Sequence, residues 1–260
     1  MNTMHNTAAS MDLLAGMQGV SLADLDKVSL QDRMDTKFVF SVDLLPDLLG
    51  RLQHAGYKVL DIGGVRAFQY SSMYYDTNDF SLFQRHAAGK LNRYKIRKRH
   101  YVNTGTTFFE IKFKNNRGRT VKSRVQLADQ DAQFEANLLM NKHTPFDLSG
   151  LHEQLLVHYT RITLVEPAFK ERVTIDTNLG YVKEGNVWDV EGLVIAELKQ
   201  NRTTFSLFSK IMKEYHVRST SLSKYCLGIA RLVQSVKKNN FKPQMLLVNK
   251  IQNATTTRPR

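Results

Sequence analysis

The stretch Leu91-Asn92-Arg93-Tyr94-Lys95-Ile96-Arg97-Lys98-Arg99-His100-Tyr101 decides how the chain is read. Successive side chains of a strand point to opposite faces, so Arg93, Lys95, Arg97 and Arg99 share one face while Tyr94, Ile96, Lys98 and His100 share the other. The same period of two continues in the next segments. Glu110, Lys112 and Lys114 alternate with Ile111 and Phe113, and Lys122 and Arg124 alternate with Val121, Ser123 and Val125. Asn103-Thr104-Gly105 and the segment Asn115–Gly118 supply the turns, because Gly and Asn take positive φ at little cost. These features predict an antiparallel meander with cations repeated on one face.

Working outward, Phe38–Phe40, Phe68–Tyr75, Leu156–Leu164, Phe169–Asp176 and Leu193–Gln200 also read as strands. Ser41 is placed to cap a helix carrying Leu44, Leu45, Leu48, Leu49 and Leu52 on one side, with Gly56 ending it. A mixed helical stretch bears Phe134, Leu138, Leu139, Leu151, Leu155 and Leu156, and two helices are expected over Thr204–Tyr215 and Leu222–Val236. Leu22, Leu25, Val28 and Leu30 suggest a short helix or an extended lead-in. The expected organisation is one domain over residues 22–236, an N-terminal lead-in over 1–21 and a disordered basic tail over 237–260.

Composition narrows the function. The 260 residues carry a formal charge of +13, which implies an anionic ligand, nucleic acid or membrane surface without choosing among them. Cys226 is the sole thiol, so no intrachain disulfide or thiolate metal cluster can form. No segment approaches the roughly 18 to 20 apolar residues of a membrane span, and no signal peptide is apparent, so a cytoplasmic protein is expected. Gly89-Lys90 lacks the surroundings of a P-loop, and His152, Glu153 and His158 have the wrong spacing for a zinc motif.

For a single strand, a polar face is simply a solvated face. Several adjacent strands bearing like charges repel unless an anion lies among them, so the repetition points to a shared anionic ligand. Glu110, Asp176 and Glu197 lie among the cations. Each could pair with a neighbouring Arg or Lys, or hold Mg²⁺ or Mn²⁺ that bridges phosphate oxygens. Glu197, within Glu-Leu-Lys, is the stronger metal candidate, with Glu110 as a further one.

Ordered blocks then carry a resemblance. They are Asp35-Thr36-Lys37-Phe38, Tyr74-Tyr75-Asp76-Thr77 with Arg85, Arg97-Lys98-Arg99-His100-Tyr101, Glu110-Ile111-Lys112 and Tyr159-Thr160-Arg161, followed by Arg172-Val173-Thr174-Ile175-Asp176, Glu197-Leu198-Lys199 and Ser223-Lys224-Tyr225. From about Leu22 to Val236 the chain resembles the VTC domain, the polyphosphate polymerase module of the vacuolar transporter chaperone complex, and especially its compact bacterial relatives. The resemblance implies an α+β fold: a closed antiparallel β-barrel, the triphosphate tunnel, with helices packed on the outside. It implies transfer of the γ-phosphate of ATP to a growing inorganic polyphosphate chain, with Mn²⁺ or Mg²⁺ as cofactor and a membrane-protein partner as a companion.

By the same resemblance, Lys37, Arg85, Arg97, Arg99, Lys112, Arg161, Arg172 and Lys224 line the tunnel, with Lys122 and Arg124 added by strand parity. Tyr159 matches the tunnel tyrosine, Lys199 follows the Glu-x-Lys pattern, and Glu197 holds the metal. Lys37, Arg97, Arg99, Arg161, Arg172 and Glu197 form the expected catalytic set. The wider tunnel superfamily begins with Glu-x-Glu-x-Lys, whereas this chain has Arg33-Met34-Asp35-Thr36-Lys37, a departure that disfavours a CYTH-type triphosphatase or adenylate cyclase. The rival expectations are a polyphosphate-binding sensor without catalysis, a tunnel-fold triphosphatase and a nucleic-acid-binding β-protein; the absence of an RNP-like aromatic pattern makes nucleic acid the weakest.

Overall fold

The computed structural model describes residues 2–26, 33–128, 130–201 and 205–256. Val28, Leu30, Thr204 and the last four residues of the expected tail lie outside them. Helix α1 (Asn2–Gly16) leads through β1 (Gly19–Val20) and α2 (Leu22–Asp26) to β2 (Arg33–Ser41). Ser41 does act as a cap, accepting from the Asp43 amide at the start of a short 3₁₀ turn. That turn passes into α3 (Leu45–His54), whose Leu45, Leu48, Leu49 and Leu52 are buried. Gly56, at φ +79°, then reverses the chain in a conformation that a side chain would strain.

After β3 (Lys58–Leu60) come β4 (Ala67–Asp76), α4 (Ser81–Ala87), β5 (Arg93–Tyr101), β6 (Thr106–Lys114) and β7 (Thr120–Gln126). Helix α5 (Ala132–His143) precedes β8 (His152–Val165), β9 (Glu171–Lys183), β10 (Asn186–Val190) and β11 (Leu193–Asn201). Helices α6 (Leu207–Glu214), α7 (Lys224–Leu232) and α8 (Lys242–Thr256) complete the fold. Leu151, Leu155 and Leu156 therefore leave the expected helical stretch; the last two are strand residues.

The main sheet runs β2-β11-β9-β8-β4-β5-β6-β7, all neighbours antiparallel. It is curled but not closed into the expected barrel, because β2 and β7 are its two ends and do not pair among the described residues. The physical reason lies at β2. Phe38 is bridged to Ser219, and the Thr220 amide donates to the Lys37 carbonyl at 2.8 Å, so this edge already has a partner.

Two further expectations are corrected. Helices α3 and α6 do pack on the outer face, over Phe38, Phe40, Val173, Ile175, Ala196 and Leu198. Helix α7, however, lies inside the curl, with Tyr225, Cys226 and Ile229 against Val39, Tyr74, Leu155, Tyr181 and Ile195. Gly228 makes this insertion possible, since an added Cβ would stand 2.5 Å from the Tyr181 ring and 2.7 Å from a Leu155 methyl. Residues 242–256 of the expected disordered tail form α8, which buries Val248 and Ile251 in the same apolar cluster. Among the described residues no helix is long and apolar enough to cross a membrane.

Candidate functional site: a cationic cleft inside the curled sheet

The concave face is ordered by register. One cross-strand row reads Tyr74, Arg97, Glu110 and Arg124, the next Ser72, Arg99, Phe108 and Gln126, and on the other side of Arg97 lies Lys95, Lys112 and Lys122. On the opposite wall, Lys37 faces Glu197 and Thr174, while Asp35 faces Lys199 and Arg172. The parity derived from the sequence thus holds on both walls. Curling brings the walls within electrostatic reach, since Glu197 raises the proton affinity of Lys112 while Lys37 lowers that of Lys95.

Three carboxylates organise the cations. Glu110 is 1% exposed and takes Arg97 Nε at 2.7 Å, Arg97 Nη2 at 2.5 Å and Lys122 Nζ at 2.5 Å, with Arg99 Nη1 at 3.9 Å. Burial works to raise its pKa, but Arg97, Arg99 and Lys122 outweigh it and hold the carboxyl well below the usual range. Both Glu110 oxygens face cations, which makes it the anchor of an ion-pair cluster rather than an open metal ligand. Asp176 is held the same way, by Arg161 at 2.6 and 2.8 Å and by Lys224, and these two cations overcome burial to depress its pKa.

Glu197 differs because it borders the open cleft. Its oxygens lie 3.0 Å from Lys199 Nζ and 3.6 Å from Lys37 Nζ, and its side chain keeps 21% of its exposure. Lys199 and Lys37 offset the burial that would raise its pKa and leave it ionised. No group of three His, Cys, Asp or Glu side chains able to hold a metal exists among the described residues. The donor set therefore fits one kind of ion only: a hard divalent cation that takes a single carboxylate and completes its shell with water and phosphate oxygens.

The remaining cations have fewer counter-charges. Lys95 donates to Ser223 Oγ at 3.0 Å, and burial first, then Lys37 and Arg93, push its ammonium below the ordinary lysine range. Lys112 has no ion-pair partner among the described residues. Its pKa is pushed down to about 6 by enclosure between the walls and by the positive charges of Arg97, Arg99 and Lys122. Its side chain is nonetheless exposed to solvent, which weakens the effect of enclosure and leaves the like-charge repulsion as the firmer cause. Lys122 is paired with Glu110, whereas Lys95 and Lys112 stand opposite each other without an ion pair among the described residues, a like-charge contact that an anion would relieve.

Other expected residues fall into place around this row. Tyr159 is 3% exposed, stacked on Tyr70 at 5.2 Å and covered by Lys224 at 4.6 Å and Arg161 at 5.3 Å. Arg172 is half-buried opposite Lys199, and Arg124 reaches over the Phe108 ring. Arg85 stands apart, exposed on α4 with its guanidinium donating to the Asn92 carbonyl at 3.2 Å.

Asp76, one of the resembling blocks, is fully buried and accepts from the Leu82 and Phe83 amides and Tyr225 hydroxyl, which fixes α4 and α7 rather than a ligand. Sequence reasoning missed Ser72, Tyr70, Tyr101 and Phe108 on the cleft face, although the last two share the parity of Arg99 and Glu110.

Comparison with known proteins bears on the fold and the family. A candidate adenylate cyclase from Bacillus halodurans superposes with a TM-score of 0.50 at 16% identity, over 78% of this chain and 100% of that one. A second candidate adenylate cyclase, from Vibrio parahaemolyticus, gives 0.46 at 13% identity over 76% and 99% of the two chains. A Hippeastrum protein, described as a candidate adenylyl cyclase with a dominant triphosphatase activity, gives 0.41 at 14% over 75% and 94%. At such identity the first of these establishes a shared fold and nothing about activity. No curated protein matches significantly. The VTC domain model matches residues 32–233, the curled sheet with α7 inside it, and the chain belongs to the VTC domain family.

Proposed function

We propose that the cleft is a polyphosphate polymerase site, in which the γ-phosphate of ATP passes to the end of a growing inorganic polyphosphate chain. The observation that carries this reading is the Lys95–Lys112–Lys122 row beside Arg97 and Arg99, a set of five cations of which Arg97, Arg99 and Lys122 share the one Glu110 carboxylate. Bridging and terminal phosphate oxygens, spaced along a chain, answer such a row better than any single carboxylate does. Phosphoryl transfer passes through a loose transition state, so positioning and charge stabilisation dominate and little covalent chemistry is asked of the protein.

The chain-end oxygen that attacks is already ionised and needs no general base. It forms a bond to the γ-phosphorus of ATP while the bond to the β–γ bridging oxygen breaks, and ADP leaves with that oxygen. Arg97, Arg99, Lys112 and Lys122 hold the transferred group from one wall; Lys37, Arg161, Arg172, Lys199 and Lys224 steady the phosphates from the other. Glu197 would hold Mn²⁺ or Mg²⁺, which would supply charge neutralisation at the group in transfer.

Glu197→Gln tests the assignment. Turnover should fall about 100-fold or more, the size seen when a single electrostatic catalytic contact is removed, while tripolyphosphate affinity stays within about three-fold, less than a single charge-assisted bond contributes. Full metal-dependent activity in the variant would remove Glu197 from the mechanism. ADP release without polymer from the wild type would favour the triphosphatase, and tight binding with neither product would favour the sensor.

A further inference from the structure

The two ends of the cleft differ in kind. Cleft-facing positions along β5 run Arg93, Lys95, Arg97, Arg99 and Tyr101, and along β6 they run Lys114, Lys112, Glu110, Phe108 and Thr106. At one end the row is Arg93, Lys114 and Thr120, without an aromatic ring. At the other end Tyr70, Tyr101 and Phe108 stand where cations stood further in. Their rings form a connected wall: Tyr70 to Tyr101 at 4.9 Å and Tyr101 to Phe108 at 5.6 Å. Arg99 and Arg161 lie over Tyr70 at 5.4 and 5.3 Å, and Arg124 lies over Phe108 at 4.9 Å.

Tyr70 anchors this wall to the core, packed against two apolar clusters and stacked on Tyr159, and the outer two rings lie beyond the core. Tyr101 and Phe108 are half-buried and belong to none of the buried apolar clusters, and Tyr101 is followed by Val102, which is 45% exposed. Rings left partly wet on the polar face of a sheet, with guanidinium groups over them, form the arrangement that holds flat heterocycles by stacking. The opposite end is also narrowed by α7, whose Ser223 reaches Lys95. Each two-residue step along a strand covers roughly 7 Å. A base at Tyr101 therefore directs the phosphates that follow it over Arg99 and Arg97 towards the lysine row.

We propose that Tyr70, Tyr101 and Phe108 form a nucleobase-stacking subsite, so that the donor is a nucleoside triphosphate lying base outward at this mouth with its γ-phosphate innermost. The inference rests on the reading of the cleft as a phosphate channel. Stacking accepts any π-face, so purine triphosphates of either kind bind alike.

The test compares ATP with tripolyphosphate, the same phosphates without the base, by calorimetry on the full chain at fixed salt. In Tyr101→Ala and Phe108→Ala, ATP affinity should drop about five-fold or more, the lower end for loss of one stacking contact, while tripolyphosphate affinity stays within about two-fold. Tyr101→Phe should bind ATP as the wild type does, which separates ring loss from misfolding. Equal weakening of both ligands, or no weakening of ATP, overturns the base subsite and leaves the phosphate channel standing. Failure of the wild type to bind tripolyphosphate overturns the channel itself. A short single-stranded oligonucleotide binding more tightly than ATP, and lost in the same variants, would overturn the triphosphate assignment in favour of a nucleic-acid strand.

Discussion

Glu110 and Glu197 share the concave face and a depressed pKa, yet they play different parts. Glu110 is sealed among Arg97, Arg99 and Lys122, whereas Glu197 borders open cleft between Lys37 and Lys199. Because their folded pKa values, and that of Asp176, are lowered, these carboxylates contribute stability in full above the unfolded value of about 4 and lose it as the pH falls towards their folded values.

Lys95 and Lys112 change stability in the same direction with pH but in a higher window. Their lowered pKa values mean that the unfolded chain binds more protons around neutrality, so they favour folding increasingly as pH rises from about 6, the Lys112 value, towards the unfolded lysine value. A bound polyanion reverses that shift and draws protons onto these lysines. Tripolyphosphate should therefore bind with net proton uptake near pH 7 and more tightly as pH falls, read by calorimetry in buffers of different ionisation enthalpy. In Lys112→Arg, which stays charged, the uptake should shrink. Uptake unchanged in that variant would place the proton on the ligand or another group.

At the scale of elements, α7 decides how much of the curl remains open. Its Gly228 abuts Tyr181 and Leu155, and Ser223 and Lys224 at its first turn deliver contacts to Lys95 and Asp176. Gly228→Ala gains helix propensity but inserts a methyl where no space exists, so it should destabilise by about 1–3 kcal/mol. A thermal melt checks this, and a Tm at or above wild type would mean that α7 sits less deeply.

The strands and their inward cations were legible because a period of two survives any register. Closure was not legible, because it turns on the pairing of the Phe38 edge with Ser219 and Thr220, a contact remote in sequence. Helix α8 escaped notice because Val248 and Ile251 are its principal buried positions in a Lys-, Asn- and Thr-rich background. The aromatic mouth is hidden in the sequence because Tyr101 and Phe108 follow the same period of two as the cations and look like ordinary strand aromatics.

For the molecule as a whole the formal charge is +13, and within the cleft the cations outnumber the carboxylates. Lys95 and Lys112 side by side, next to a Lys122 paired with Glu110, carry a repulsive cost that a bound anion would offset. The measurement that bears most directly on this is incubation of the purified chain with ATP and Mn²⁺, with and without a short polyphosphate primer. ADP and polyphosphate are scored on a gel, and Glu197→Gln and Lys37→Ala run alongside. A polymerase yields long-chain polyphosphate matched to ADP, stimulated by primer and lost in both variants. An active preparation that releases ADP and orthophosphate without any polymer, or one that binds polyphosphate and consumes no ATP, would show that the cleft does not perform this transfer.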